Sequence, residues 1–177
     1  MKGMNPSLKL VQITIQAGSV IPSGAHSRTL RPVRVDFAAN PADKTVRLQI
    51  DAAGAWTSVE PVTMGPEKAL WDNLHGSKVL HTDKYPTIKF NGRYSELSSA
   101  SAKIEGQLTV KDKTIPLNFT AQGQSAGDSV VYSARVPVKL SQLGIAKFKA
   151  LLGTLWLEDD ATISVAVQAP ASLSTNP

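Results

Sequence analysis

Apolar and polar residues alternate with a period of two along most of the 177-residue chain. This alternation is typical of β-strands that have one buried face and one solvated face, because successive side chains of a strand point to opposite sides. We therefore predict eight strands, at residues 11–15, 33–37, 46–50, 88–90, 104–110, 115–119, 130–138 and 163–167.

Short polar links separate several of these strands and predict an antiparallel all-β fold. Candidate turns lie at residues 40–41, 91–92, 111–113 and 127–128, which are rich in Asn, Asp, Gly, Pro and Lys. Strands joined by such short links pair in antiparallel order, since a parallel pair needs a longer crossover.

Two prolines, Pro116 and Pro137, lie inside the alternating segments. Proline has no N–H group to donate to a neighbouring strand. We predict that each marks a sheet edge, a bulge or a strand end.

Two stretches depart from the alternation and predict short helices. In residues 66–75, Pro66 suits the first helical position and Gly76 suits a left-handed stop. In residues 140–152, apolar residues recur at helical spacing, and Gly153 would end the helix.

Pro86 stands between the first predicted helix and the strand that contains Ile88 and Phe90. A proline disfavours helical backbone at the residue before it, which here is Tyr85. We expect this segment to fix the register of the strand, because a slip of one residue would turn its apolar side chains to the wrong face.

Length and composition indicate one globular domain over residues 1–177, with a frayed tail at 170–177. The chain has no cysteine, which excludes disulfide bonds, thiol catalysis and cysteine-based zinc sites. No apolar run reaches the roughly 18 residues of a transmembrane helix. The first ten residues are too polar for a secretory signal, so we expect a cytosolic protein or one from which a signal was removed.

The net charge is +5, and its densest basic group is Arg28, Arg31 and Arg34. A nucleic-acid surface would interleave basic and aromatic residues along one stripe. We interpret these arginines as a solvated strand face and expect no nucleic-acid partner.

The candidate catalytic and metal-binding groups are weak. GQSAG at 123–127 has the spacing of a nucleophile elbow, but Ser125 is predicted to lie in a polar loop and no histidine follows it. His75 and His81 lack the spacing that places two ligands on one helix face. Residues 158–160 are predicted to be a solvated acidic turn. We expect no catalytic residue, metal or cofactor.

Eight one-sided strands can close into a barrel or fold into a sandwich. An eight-stranded barrel is wide enough for one small ligand, whereas a sandwich fills its interior with side chains. The alternation does not choose between them.

Three segments, in this order and spacing, resemble the YceI-like family of bacterial lipid-binding proteins. WDNLHGSKVLHTDKYPTIKF (71–90) is similar to the family's helix, leucine-bearing link and Tyr-Pro-x-Ile-x-Phe strand. KIEGQLTVKDKTIPLNF (103–119) resembles its Gly-x-Leu-Thr strand and proline-bearing partner. VPVKLSQLGI (136–145) and LEDDATISVAV (157–167) resemble its Gly-Ile segment and closing strand.

The similarity extends over residues 46–169 and has local departures. Asp112 stands where the family's turn usually has glycine, and Gln142-Leu143 stands where Asp-Phe commonly precedes the Gly-Ile pair. The first 40 residues match loosely.

The resemblance implies an extended eight-stranded antiparallel β-barrel, lipocalin-like, with two short helices. It implies a non-enzymatic periplasmic protein that binds, stores or transports a polyisoprenoid, an isoprenoid quinone or a fatty acid, in transport or stress response, and that can form a homodimer. An apolar tail gains roughly 0.8 kcal/mol per buried CH₂, so such a site needs no strong polar contact.

We predict that the apolar tunnel is lined by inward-facing side chains of the strands and of the helices at its mouth. These are Trp71, Leu74, Ile88, Phe90, Leu108, Val110, Ile115, Leu117, Phe119, Tyr132, Val136, Phe148, Ile163 and Val165.

Two alternatives stay open at this point. The same side chains can fill the core of a solid β-sandwich that serves adhesion or assembly, or the scaffold can carry a hydrolase.

Overall fold

The structure, a computed structural model, describes residues 8–21, 24–60, 67–145, 149–150 and 155–175. Its strands are β1 Lys9–Ile21, β2 Gly24–Pro32, β3 Val35–Asn40, β4 Thr45–Asp51, β5 Trp56–Ser58, β6 Thr87–Ser95, β7 Ser101–Val110, β8 Lys113–Ala126, β9 Ser129–Lys139, β10 Lys149–Ala150 and β11 Leu155–Pro170. Its helices are α1 Glu67–His75, the 3₁₀ helix η1 Leu140–Leu143 and α2 Ser172–Thr175.

All the described strands belong to one antiparallel sheet. Its order is β3-β4-β6-β7-β8-β9-β11-β1-β2-β5, and β10 pairs with β11. Because the sheet is single and curled, the sandwich alternative is wrong and the barrel prediction is confirmed.

The chain itself joins the two ends of this sheet. Val33 and Arg34 connect β2 to β3, and a turn at residues 52–55 connects β4 to β5. The N–H of Val33 donates to the Ala55 carbonyl at 3.0 Å, and the N–H of Asp51 donates to the Arg34 carbonyl at 3.0 Å. Because β2 pairs with β1 while β3 pairs with β4, one bent segment closes the curled sheet into a barrel.

All eight predicted strands are present, but the count is higher because β2, β5 and β10 were not predicted. β2 and β3 are two parts of one long segment, as are β4 and β5. The residues of β2, GAHSRTLRP, do not alternate, so its strand conformation depends on pairing with β1 and β5. The bend also turns Val33 outward, where 56% of its surface is exposed.

The first helix prediction is confirmed by α1, whereas the helix predicted over residues 140–152 is wrong. η1 is a single turn that ends at Gly144, whose φ of 77° lies in the left-handed region. The N–H of Ile145 closes the turn by donating to the Leu140 carbonyl at 3.0 Å. β10 then follows and pairs with β11. Leu140, Leu143 and Ile145 are buried in this turn, so the apolar spacing at the start of the segment does not mark a helix face.

Asn91 and Gly92, predicted to form a turn, lie in the middle of β6. Gly92 is opposite Gly106 of β7, and the Phe90 ring covers both glycines. A Cβ on Gly92 would lie 2.9 Å from Cζ of Phe90, and a Cβ on Gly106 would lie 2.6 Å from the same atom. Gly92 therefore serves close packing inside the sheet, and the turn prediction is wrong.

Pro116 and Pro137 each lie on the unpaired side of a strand, a local edge within the sheet, which agrees with the edge position that was predicted. β8 pairs with β9 only over Gln122–Ala126 and Ser129–Ser133. Beyond this ladder both strands continue, through residues that are all described, without pairing to each other. Each proline lies in one of these unpaired stretches, where a missing N–H costs no ladder hydrogen bond.

The tail after Pro170 contains α2, and Leu173 of this short helix packs against apolar residues of the sheet.

We predict that Gly106→Ala lowers the free energy of unfolding by about 1–3 kcal/mol, because overpacking forces neighbours to move. The new Cβ would lie 2.5 Å from the Asn91 carbonyl oxygen as well as against Phe90. Urea denaturation measures the change. The control is Gln107→Ala on the exposed face of β7, which should change stability by less than about 0.5 kcal/mol. Equal stabilities of the Gly106 variant and the wild type would contradict the close approach.

Candidate ligand-binding site

The inward face of the barrel is packed into two separate cores. The larger core gathers apolar side chains from β4, β6, β7, α1 and η1, among them Ile50 and Leu74. The smaller core contains Val130 and Tyr132 of β9. β7 contributes Ala102 at its beginning to the smaller core and Val110 at its end to the larger core, so the two cores lie at opposite ends of the barrel.

α1 and the loop after it cover the larger core. Leu74 in the helix and Leu80 in the loop are buried there, and the N–H of Leu80 donates to the Leu74 carbonyl at 3.1 Å. The carbonyl of Pro86 accepts from the N–H of Ala52 at 2.9 Å and of Ala53 at 3.2 Å. The entry into β6 is thereby attached to the turn between β4 and β5.

Outside the two cores some inward-facing side chains are only half-buried, although Tyr94 and Val136, which also belong to neither core, are buried. Val46, Phe119 and Val165 point inward by strand register but belong to neither core. An inward apolar side chain that keeps accessible surface indicates space in front of it, since packed interiors leave few voids. We call this region the middle section.

A row of small residues crosses the sheet in the middle section. In register from β3 to β8 the row is Ala39, Val46, Gly92, Gly106 and Leu117. Two glycines and an alanine project little or nothing from the wall, and the Phe90 ring packs over the two glycines.

Two phenyl rings line the middle section. Phe90 of β6 and Phe119 of β8 have ring centroids 6.3 Å apart and planes inclined at 42°. Such tilted pairs are favourable for aromatic rings. Together with the small row they form an apolar wall, which can bind a hydrocarbon chain but offers no group for catalysis.

The side chains that were predicted to line the tunnel fall into different groups. Those packed within the two cores are Leu74, Ile88, Leu108, Val110 and Tyr132. Those half-buried against the larger core are Trp71, Phe90, Ile115, Leu117 and Ile163. Those that belong to neither core are Phe119, Val136 and Val165. Phe148 lies outside the described residues. Contact of any of them with a ligand stays a prediction.

Three further residues belong to the middle section and were not among the predicted lining residues. Phe37 and Val46 continue the inward rows of β3 and β4, and the alternation that located these strands could have included them. Gly106 was recognised only as a strand residue, because its pairing with Gly92 is not visible in sequence.

Arg28 brings a positive charge to the inward face, which corrects its interpretation as a solvated residue. It is opposite Ala17 of β1, which is in turn opposite the buried Ala161. Arg28 is half-buried, and its Nη1 donates to Ser58 Oγ at 2.8 Å. Arg31 and Arg34 are exposed, as predicted.

Glu60 lies two residues after β5 and contacts β2. Its carboxylate accepts hydrogen bonds from the backbone N–H and the hydroxyl of Thr29, each at 2.7 Å. Desolvation alone would raise the pKa of Glu60, but these hydrogen bonds and the charge of Arg28 outweigh it and hold the pKa below its ordinary value. The ionised carboxylate is therefore part of the folded structure.

The weak catalytic and metal candidates stay apart in the structure. Ser125 is exposed in β8 rather than in a loop. Nδ1 of His75 lies 3.2 Å from Thr82 Oγ1, and the His81 ring meets the edge of Tyr85 at 5.9 Å. Within the described residues, no three side chains of the metal-binding types come together.

The acidic residues 158–160 lie in β11, so the predicted turn is wrong. Asp159 accepts hydrogen bonds from the N–H and the hydroxyl of Ser141, at 2.8 and 3.1 Å. Asp160 forms an ion pair with Lys139 on β9. These carboxylates hold η1 and β9 in place.

A family model described as the YceI-like domain matches residues 9–169. The chain belongs to the YceI-like family. This is a family of lipid-binding β-barrels, and the single curled sheet agrees with it.

Solved structures share the YceI-like fold at low sequence identity. BcnA of Burkholderia cenocepacia has a TM-score of 0.60 and 16% identity, over 89% of this chain and 96% of that chain. The Campylobacter jejuni YCEI protein has a TM-score of 0.56 and 14% identity, over 96% of this chain and 87% of that chain. No curated protein matches the chain.

In the part of the YceI-like chain that the structure describes, none of the helices has the length and apolar character needed to span a membrane.

We predict that the stability contributed by Glu60 is present above its ordinary pKa of 4.5 and is lost as the pH falls below that value. The sign follows because the folded state holds the pKa down, so the unfolded state binds the proton more readily in acid. Thermal unfolding of the wild type and of Glu60→Gln, followed from pH 7 to about pH 3, should show their difference in Tm shrinking in acid. Glu96→Gln in an exposed loop is the control, and a Glu60 difference that does not vary with pH would refute the assignment.

Proposed function

We propose that this YceI-like protein binds a long-chain amphiphile and carries or stores it unchanged. The apolar tail lies in the middle section, between the two cores. The observation that supports this most directly is the set of inward-facing apolar residues that stay half-buried there, beside a row that contains two facing glycines.

The composition of the wall favours a hydrocarbon chain over a polar ligand. Phe90, Phe119 and Leu117 offer only apolar contact, and each buried CH₂ of a tail contributes roughly 0.8 kcal/mol. A polyisoprenoid, an isoprenoid quinone or a fatty acid has this character. The protein then acts in the bacterial periplasm as a transport or stress-response protein, without catalysis and without a cofactor, as a monomer or a homodimer.

Native mass spectrometry of the purified protein, with organic extraction of the same sample, tests the proposal. We expect extra mass that is released by the solvent as an isoprenoid or fatty species. A bare mass, together with no uptake of added polyprenol or oleate, would refute binding.

We predict that Val46→Trp abolishes or weakens uptake by at least about tenfold, because an indole at this half-buried inward position occupies space in the middle section that a tail would fill. The matched control is Arg47→Trp, which adds the same side chain to the exposed outer face of β4. Circular dichroism and Tm establish that both variants are folded. Undiminished uptake by a folded Val46→Trp variant would place the ligand elsewhere.

A further inference from the structure

The two ends of the barrel are occupied by the chain's own side chains. α1 and η1 pack on the larger core, where Leu74 and Leu143 are buried. At the other end, the Tyr132 hydroxyl donates to the Ser98 carbonyl at 2.7 Å and attaches the loop between β6 and β7 to the smaller core. At both ends, the described residues are thus held together by apolar packing and hydrogen bonds.

The side wall has a gap between β8 and β9. Their ladder ends at the pair Gln122 and Ser133, although both strands continue. η1 packs against both strands at the far end of the gap. The unpaired stretches, residues 116–121 and 134–139, are about 20 Å long at the usual strand rise.

Two prolines keep this gap from closing by strand pairing. If the register of the hairpin continued, Pro137 would be opposite Asn118 and Pro116 would be opposite Lys139. Proline has no N–H, and a proline in a paired central strand removes a ladder hydrogen bond. Each strand that borders the gap therefore contains one proline, which disfavours a continuous hydrogen-bonded ladder between β8 and β9.

The gap has apolar side chains on its inner surface and a mixed set of polar and apolar side chains on its outer surface. Leu117 and Phe119 of β8 face inward and are half-buried. Outside, where the strands diverge, lies a groove of about 590 Å³. Its lining is mixed: it includes the polar Thr120, Gln122 and Arg135 and the apolar Ala134 and Val165. An amphiphile passing here can keep its headgroup beside Thr120, Gln122 and Arg135 while its tail moves along apolar side chains.

We propose that the gap between β8 and β9 is the entrance through which the amphiphile reaches the middle section. This proposal rests on the proposed function. It requires no opening of either core, because the tail passes between strands that share no hydrogen bonds.

The test uses the absence of native cysteine. Thr120→Cys with Arg135→Cys is joined across the gap by a short bis-maleimide, and the uptake and release of the fluorescent fatty acid cis-parinaric acid are followed by stopped flow. We expect both rates to fall by about tenfold or more, as for a blocked gate, with the equilibrium affinity little changed. If these two positions only contacted the bound ligand, the cross-link would change the equilibrium affinity rather than the two rates.

The control is the same cross-link at Gln124→Cys with Val131→Cys, a pair already held in register by the hairpin. Its rates should equal those of the wild type. Unchanged rates in the cross-linked Thr120/Arg135 variant would overturn the entrance, whereas a wild type that takes up no probe at all would overturn the proposed function itself.

A second variant tests the prolines without chemical modification. Pro116→Thr with Pro137→Thr restores two N–H groups, and we expect slower amide hydrogen exchange in β8 and β9 and slower probe uptake. Faster or equal uptake together with new amide protection would contradict the entrance.

Discussion

The bend at Val33 and Arg34 is the constraint on which this barrel depends. A curled sheet has two edges, and exposed edges invite pairing with other chains. Here one segment pairs with β1 before the bend and with β4 after it, so the chain joins both edges. The hydrogen bonds of Val33 and Asp51 with the neighbouring segment keep backbone groups paired through the bend. The inward face becomes an enclosed surface only because this connection holds.

Enclosure alone would produce a solid core if every row carried large side chains. The row through Gly92 and Gly106 has no side chains at these two positions, and a single phenyl ring, that of Phe90, packs over both. The packed cores at the two ends supply the burial that stabilises the fold. The fully packed apolar surface thus lies mainly at the two ends of the strands, and several side chains of the middle section are less completely buried.

Alternation located eight strands because side-chain direction in a strand is a local property, and the family resemblance added that they close into a barrel. The pattern could not find β2, whose conformation is set by its partners, nor recognise that Gly144 ends η1 after one turn. It also could not separate Leu108, which is packed, from Phe119, which is half-buried, because that depends on what stands across the barrel. The interpretation of Arg28 as a solvated residue was wrong for the same reason, because its burial also depends on the residues that lie opposite it in the sheet.

The pairing of β1 with β11 has a consequence for how the protein folds during synthesis. β1 pairs with β11, with Lys9 opposite Gln168, so segments far apart in sequence must meet before the ring is complete. Closing so long a loop costs entropy before the contacts compensate for it, and such topologies fold slowly. A nascent chain that lacks β11 leaves β1 and β9 as bare edges and has no enclosed interior. The enclosed interior is therefore a property of the finished chain, and the time between synthesis and closure is when this protein is most exposed to aggregation.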